Sequence, residues 1–180
     1  LGNNINAIKK ILGESSDLQI RNITLKGQDK KAAMLFIDGI VDSDGIQEYI
    51  IEPLLTYQFP FFQSVEELLS FVETAVIQAK NVKRVENINL ASAELLTGKT
   101  LLILEGCSTF LSTDTTKWNG RSIESPKGQR VAKGPDQGFN ENRSTNISLV
   151  RKIIKNTNVR VTTKQYGTKT HTDISVMYLE

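Results

Sequence analysis

The chain has 180 residues, of which 39% are hydrophobic and 23% are charged, and its formal net charge is +2. This composition is typical of globular proteins and excludes disordered, collagen-like and coiled-coil chains. The single cysteine, Cys107, excludes an internal disulfide, so we expect a reducing environment. Apolar runs fall far short of the roughly 20 residues that cross a bilayer, and we expect a soluble chain. It starts without Met and stops directly after a strand-like run, so we expect a fragment of a longer protein.

Hydrophobic spacing predicts the first elements. Isoleucine and leucine residues three or four apart indicate a short amphipathic helix over residues 4–12. Loose alternation over 18–25 and an unbroken apolar run over 32–37 predict two neighbouring strands. The chain is therefore expected to open with a helix followed by a strand pair.

Two further helices are predicted, over residues 46–55 and 65–79. The second begins with a capping box, in which Ser64 precedes Glu67 by three residues. The segment 57–62 between these helices carries four aromatic residues, and we expect it to pack against the core.

Another helix and hairpin follow. Residues 90–96 read as a helix that ends at Gly98, and residues 100–104 and 108–111 read as paired strands. The stretch 113–138 is irregular and rich in Gly, Pro and basic residues, a composition that compact domains usually keep for function or for a linker.

The chain is predicted to end with a helix over 146–154 and an alternating strand pair over 159–166 and 174–178. On the helix, Ile147, Val150, Ile153 and Ile154 define the apolar face and Arg151 lies on the basic face. We expect an α/β fold of mixed α+β type. It is divided into two small lobes with mixed sheets, an N-terminal lobe over 1–98 and a basic C-terminal lobe over 99–180.

Charge is distributed unevenly. Residues 1–110 carry a net charge of −4 and residues 111–180 a net charge of +6. The basic part suits an anionic partner such as an acidic protein face, phosphate or a membrane surface, or it is simply a solvated surface. Nucleic acid is disfavoured, because the basic groups are scattered and aromatic residues make up only 7% of the chain.

Residues with catalytic chemistry are few. One histidine, His171, and one distant cysteine cannot supply a zinc site or a conventional triad. Gly98-Lys99-Thr100 resembles the end of a phosphate-binding loop, but here a helix leads into a strand, which is the reverse of the order that such a loop needs. Asp42, Asp44 and Gly45 match part of a calcium loop, but helix capping by Ser43 or Asp42 explains this segment better. We therefore predict no enzyme, no cofactor and no metal site.

Three segments occur in a fixed order: Arg121–Pro126, Lys133–Glu141 and Thr145–Ile153. Together with Asn6–Arg21 and Phe36–Gly39, they resemble the A subunit of GerA-type spore germinant receptors in its soluble N-terminal region. Pro53-Leu54-Leu55 and Leu95–Ile103 also fit that resemblance, which covers essentially the whole chain.

The resemblance implies a receptor subunit in the spore inner membrane, with this domain on the cytoplasmic side and a transmembrane region following it. It also implies that the domain works together with B and C subunits and with other copies of the A subunit, and that it catalyses no covalent chemistry. We expect the domain to act in receptor assembly and signal transmission. The alternative is a module that binds a small nutrient, such as an amino acid or a sugar, in a cleft between the lobes.

Ten residues are candidates for an interface or signalling site: Arg121, Glu124, Lys133, Gly134, Pro135, Gly138, Phe139, Glu141, Asn146 and Arg151. In the structural interpretation, the glycines and the proline form turns, Phe139 anchors the segment, and the stretch from Glu141 to Asn146 caps the next helix. In the functional interpretation, the four residues Arg121, Glu124, Lys133 and Arg151 form a charged junction that transmits a conformational change.

Overall fold

The computed structural model describes residues 1–28, 30–117 and 138–180. Its α-helices are α1 (Gly2–Ile11), α2 (Ser43–Ile46), α3 (Glu52–Thr56), α4 (Val65–Phe71), α5 (Ile88–Leu96) and α6 (Arg143–Ile153). Two π-helical turns, Gln47–Ile51 and Val72–Val76, extend α2 into α3 and continue α4. The strands are β1 (Leu18–Thr24), β2 (Lys31–Ile37), β3 (Val82–Val85), β4 (Lys99–Leu104), β5 (Phe110–Asp114), β6 (Val159–Tyr166) and β7 (Thr172–Leu179).

The core is a five-stranded sheet with the order β1-β2-β4-β5-β3. The predicted strand pair β1–β2 and the hairpin β4–β5 are both confirmed, and the α/β class is confirmed. Every described strand pair is antiparallel, where mixed sheets were expected. The apolar runs of β2 and β4 lie side by side at the centre, with Leu35 opposite Leu101, and are buried as such runs predict.

Strand β3 is an element that the hydrophobic pattern did not indicate. It has four residues, of which only Val85 is buried, while Lys83 and Arg84 are exposed at the sheet edge. Short, charged edge strands resist unwanted pairing with other chains, and they carry almost no hydrophobic signal.

The helical segment from Ser43 to Thr56 is continuous across Pro53. Proline lacks the N–H that would bond to the carbonyl of Tyr49 in a regular helix, and that carbonyl instead accepts a hydrogen bond from the Gln78 N–H at 3.1 Å. Asp42 is the N-cap residue, but its side chain makes no capping hydrogen bond, so the predicted capping role of Asp42 is wrong for its carboxylate.

The capping box before α4 is largely confirmed. The Ser64 hydroxyl accepts a hydrogen bond from the Glu67 N–H at 3.1 Å, and the Glu67 carboxylate accepts one from Gln63, one residue before the expected donor. The helical run ends at Val76, because the backbone of Ile77 is extended.

The aromatic segment packs in part. Phe59 is buried, and the rings of Tyr57 and Phe62 lie 5.5 and 5.1 Å from the ring of Phe71. Phe61 is 88% exposed, so the expectation that all four aromatics pack is wrong for this residue.

Strands β6 and β7 form a separate two-stranded sheet beside α6. The five-stranded sheet takes strands from both sides of residue 98, and the division into lobes 1–98 and 99–180 stays a prediction. Within the described ranges, no helix is long and apolar enough to cross a membrane.

Candidate functional site

Helix α6 begins at a network of asparagine side chains. Asn142 is the N-cap residue, and its side chain accepts a hydrogen bond from the Thr145 N–H at 3.0 Å. The amide of Asn146 turns back to the preceding segment, accepting from the Asn140 N–H at 2.9 Å and donating to the Asn140 carbonyl at 2.6 Å. The stretch from Glu141 to Asn146 therefore starts the helix as expected, with Asn142 as its cap.

Arg151 lies in the interior, and its side chain is completely buried. Its Nε and Nη2 atoms donate to the two carboxylate oxygens of Asp17 at 2.7 and 3.0 Å. Nη2 also donates to the Ser15 hydroxyl at 2.8 Å, and Nη1 donates to the Val159 carbonyl at 3.0 Å. The prediction that Arg151 lies on an exposed basic face is wrong, because these partners satisfy the guanidinium inside the protein.

The segment that carries Ser15 and Asp17 also runs along the free edge of β6. The Ser16 N–H donates to the Val161 carbonyl at 2.8 Å, and the Thr163 N–H donates to the Ser16 hydroxyl at 3.0 Å. Arg151 thus joins three parts of the chain, namely the link between α1 and β1, helix α6 and strand β6.

The apolar face of α6 also differs from the predicted one. Leu149 and Ser148 are buried, whereas Ile153 is 69% exposed and Ile154 is also exposed. Burial of Arg151 rotates the helix so that part of the isoleucine stripe faces outward.

A groove of about 310 Å³ separates the N-terminal half of α6 from β7. Three of the candidate residues line it together, namely Phe139, Glu141 and Asn146, and Ser175 and Met177 form its wall on β7. Phe139 is 73% exposed, so the expectation that it anchors the segment is wrong for the described contacts. The groove instead presents an aromatic ring, a carboxylate and an amide at the surface.

Gly138 precedes this groove directly. Five other candidates lie outside the described residues: Arg121, Glu124, Lys133, Gly134 and Pro135. The charged junction that these residues were predicted to form with Arg151 stays a prediction, and the partner of Arg151 that the structure describes is Asp17.

A second polar cluster surrounds Glu94 on α5. This carboxylate is only 9% exposed and binds Lys83 at 2.9 Å, Lys99 at 2.5 Å and the Ser112 hydroxyl at 3.0 Å. Burial alone would raise the pKa of Glu94, but the hydrogen bonds from Lys99, Lys83 and Ser112 outweigh burial and hold this pKa below its ordinary value. Glu94 therefore stays ionised between two ammonium groups.

The remaining residues with reactive side chains lie apart from one another. His171 is exposed in the turn between β6 and β7, and the Cys107 thiol accepts a weak hydrogen bond from the Thr109 N–H. Across residues 1–28, 30–117 and 138–180, no group of three or more His, Cys, Asp or Glu residues is arranged to hold a metal ion.

Comparison with known proteins gives consistent results. The family model described as "Bacillus/Clostridium GerA spore germination protein" matches residues 6–180. The chain is 35% identical to spore germination protein KA and 27% identical to spore germination protein B1, both from Bacillus subtilis strain 168. Each alignment covers all of this chain but only 33% and 36% of the relative, so the chain spans about a third of the length of these proteins.

A solved structure is also similar. It is the N-terminal domain of the A subunit of the Bacillus megaterium spore germinant receptor GerK3, with 28% sequence identity and a TM-score of 0.72. The match covers 99% of this chain and 64% of the solved chain. The similarity in three dimensions thus extends over nearly all of the chain, including both sheets.

Proposed function

Because the chain belongs to the GerA family of spore germination proteins, we propose that it is the N-terminal domain of a germinant receptor A subunit and acts in receptor assembly and signal transmission. Its partners in this proposal are the B and C subunits and other copies of the A subunit. The domain lies on the cytoplasmic side of the spore inner membrane, held there by a transmembrane region outside these 180 residues.

The groove between α6 and β7 carries this proposal. It combines Phe139, Glu141 and Asn146 in one exposed surface. Aromatic residues are enriched in protein–protein interfaces, and the polar groups beside the ring can form the hydrogen-bonding rim that such interfaces have. The helix beneath it is held by the buried pair of Arg151 and Asp17. A partner that binds the groove therefore acts on a helix connected to the link between α1 and β1.

The test compares Phe139→Ala with Phe61→Ala in spores that carry the full receptor. Both rings are largely exposed, at 73% and 88%, but only Phe139 lines the groove. We expect Phe139→Ala to slow germination and to reduce co-purification of the B and C subunits, while Phe61→Ala changes neither. Normal germination with a normally accumulated Phe139→Ala subunit contradicts the proposal.

A second candidate function is direct binding of a small molecule in a cleft. A cavity of about 630 Å³ supports it, which is within the usual size range of ligand pockets. Its lining combines eight residues between Asp42 and Asn81 with residues 114–116, and thus comes from both sides of residue 98.

A further inference from the structure

The chain contains one structural unit twice. Helix α1 leads into the antiparallel strands β1 and β2, and helix α6 leads into the antiparallel strands β6 and β7 in the same order. The helices have related sequences, because residues 4–12 read NINAIKKIL and residues 146–154 read NISLVRKII. Residues 2–38 are called the first unit below, and residues 143–180 the second unit.

The two strand pairs share one register. Counted along both hairpins, equivalent positions lie opposite each other. The matching pairs are Leu18–Ile37 with Val159–Leu179, and Ile20–Leu35 with Val161–Met177. No residue is therefore gained or lost along these parts of the strands when the second unit is compared with the first.

Three backbone hydrogen bonds also recur at equivalent positions, each between 2.8 and 3.2 Å long. They lie at the end of the helix, in the link to the first strand, and between the two ends of the hairpin. In N–H to carbonyl order they are Leu12–Ile8 with Ile154–Val150, Leu18–Ser15 with Val159–Asn156, and Asp38–Asp17 with Glu180–Asn158. The units thus share one backbone arrangement, so the surroundings of the first unit predict what the second unit needs.

Strand β2 of the first unit is covered on its second edge and on its outer face. Strand β4 pairs with that edge, where Met34 lies opposite Leu102. The helical segment 43–56 lies over the outer face, where Arg21 donates a hydrogen bond to Gln47 at 3.3 Å. Met34 is completely buried as a result.

Strand β7 of the second unit is open at the equivalent places. Among the residues that the structure describes, no strand pairs with its second edge. Ile174, Val176 and Tyr178 on its outer face are 46%, 57% and 51% exposed, although Val176 is the equivalent of Met34. The strand has eight residues with no Pro or Lys, and Asp173 is its one charged residue. It therefore lacks the features that protect a natural edge strand from pairing.

We propose that the segment of this chain that follows Glu180 completes the second unit. It adds an antiparallel strand to the open edge of β7, as β4 does for β2, and it covers the outer face with a helical segment, as residues 43–56 do in the first unit. The match to the solved N-terminal domain supports such a continuation, because it leaves more than a third of that chain outside the matched 64%. The domain then contains two sheets of the same design.

The direction of the backbone N–H groups makes the added strand testable residue by residue. The Glu180 N–H points toward β6, because it donates to the Asn158 carbonyl at 3.0 Å. Successive N–H groups of a strand point to opposite edges, so the Val176 N–H also faces β6. The N–H groups of Ser175 and Met177 face the open edge.

The first experiment measures hydrogen exchange by NMR on the chain of 180 residues and on a longer form that continues into the natural sequence. In the shorter form, the Ser175 and Met177 N–H groups are expected to exchange roughly 100-fold faster than the Val176 N–H, which is bonded to β6. In the longer form, all three are expected to exchange slowly. Fast exchange of Ser175 and Met177 in the longer form overturns the proposal. Slow exchange in the shorter form also overturns it, since a second copy or these 180 residues themselves then cover the edge.

Val176→Lys tests whether the outer face becomes covered. In the shorter form this lysine is exposed, and the unfolding temperature is expected to change little. In the longer form it replaces a buried side chain, and the unfolding temperature is expected to fall by about 5 °C or more. Thr168→Lys, in the exposed turn between β6 and β7, is the control and should have little effect in either form.

An equal effect of Val176→Lys in the two forms contradicts the covering of the outer face. Both experiments use the purified chain without any other subunit. Their outcome is therefore independent of the spore experiment with Phe139.

Discussion

Arg151 and Asp17 are 134 positions apart in the sequence and form a two-point ion pair in the protein interior. The Nε–Oδ2 distance is 2.7 Å and the Nη2–Oδ1 distance is 3.0 Å. Such a pair contributes little net stability when compared with an apolar replacement of both residues, but losing one partner leaves an uncompensated buried charge. It therefore makes the position of α6 dependent on the segment before β1.

We expect Arg151→Met to lower the free energy of unfolding by about 3–5 kcal/mol, since the Asp17 carboxylate is left buried without its cation. Urea denaturation of the purified chain measures this loss. The matched control is Arg143→Met, whose ion pair with Asp173 is 3.3 Å long and about half exposed on each side. Such pairs contribute at most about 1 kcal/mol, and equal losses in the two variants would contradict a structural role of Arg151.

Gly39 provides a second test of how α6 is held. Its φ of +82° is in the left-handed region, and a Cβ there would lie 3.2 Å from the Ser144 carbonyl and from the Ser148 Cβ. Gly39→Ala is expected to lower the free energy of unfolding by about 1–2 kcal/mol from backbone strain alone, with a further loss if α6 shifts. Gly2→Ala is the control, because a Cβ at residue 2 meets nothing within 4 Å. Urea denaturation measures the stability of both variants. If Gly39→Ala is as stable as Gly2→Ala, the close approach of residue 39 to α6 does not contribute to stability.

The hydrophobic periodicity predicted the central elements well, because burial on both faces leaves a clear pattern in the sequence. The runs Ala32–Ile37 and Leu101–Leu104 are the central strands, and the positive φ of Gly98 follows α5 as a helix-terminating glycine should. Elements stabilised by long-range contacts were harder to predict. Strand β3 has two charged residues among four and exists because β5 pairs with it.

The orientation of α6 shows why the candidate site was only partly predictable. A helical pattern assigns arginine to the solvent face, and Ile153 to the core. The choice between these faces was decided by Asp17 and Ser15, which no local spacing connects to residue 151. The motif segment around Phe139 and Asn146 was nevertheless found from its order along the chain, and the structure brings both residues to one groove.

We expect the buried Glu94 carboxylate to make the free energy of unfolding depend on pH. Its pKa is lower in the folded protein than its ordinary value of 4.5, so the ionised carboxylate stabilises the fold at neutral pH. This contribution is expected to decline as the pH falls through 4.5 and to be lost below the folded pKa. Unfolding measured between pH 7 and pH 3 should show that Glu94→Gln costs roughly 1–3 kcal/mol at neutral pH and clearly less in acid.

Glu48→Gln serves as the control for that experiment, because Glu48 is exposed on the helical segment and no described residue forms an ion pair with it. Its effect is expected to stay small at every pH. A constant effect of Glu94→Gln across the range would mean that the ionised carboxylate and its two lysines do not stabilise the fold.

Asn146 links the start of α6 to the groove. Removing its side chain tests whether the groove surface can be disturbed while the domain stays folded. Its amide makes both hydrogen bonds to Asn140, next to the exposed ring of Phe139. Asn146→Ala is expected to lower the free energy of unfolding by only about 1–2 kcal/mol, since Asn142 still caps the helix. Hydrogen exchange at residues 138–142 should nevertheless accelerate at least tenfold.

Asn89→Ala, on the exposed side of α5, should leave exchange in that segment unchanged. If Asn146→Ala speeds exchange there and slows germination as Phe139→Ala does, the groove acts through its ordered shape; if exchange stays slow, other contacts hold the segment.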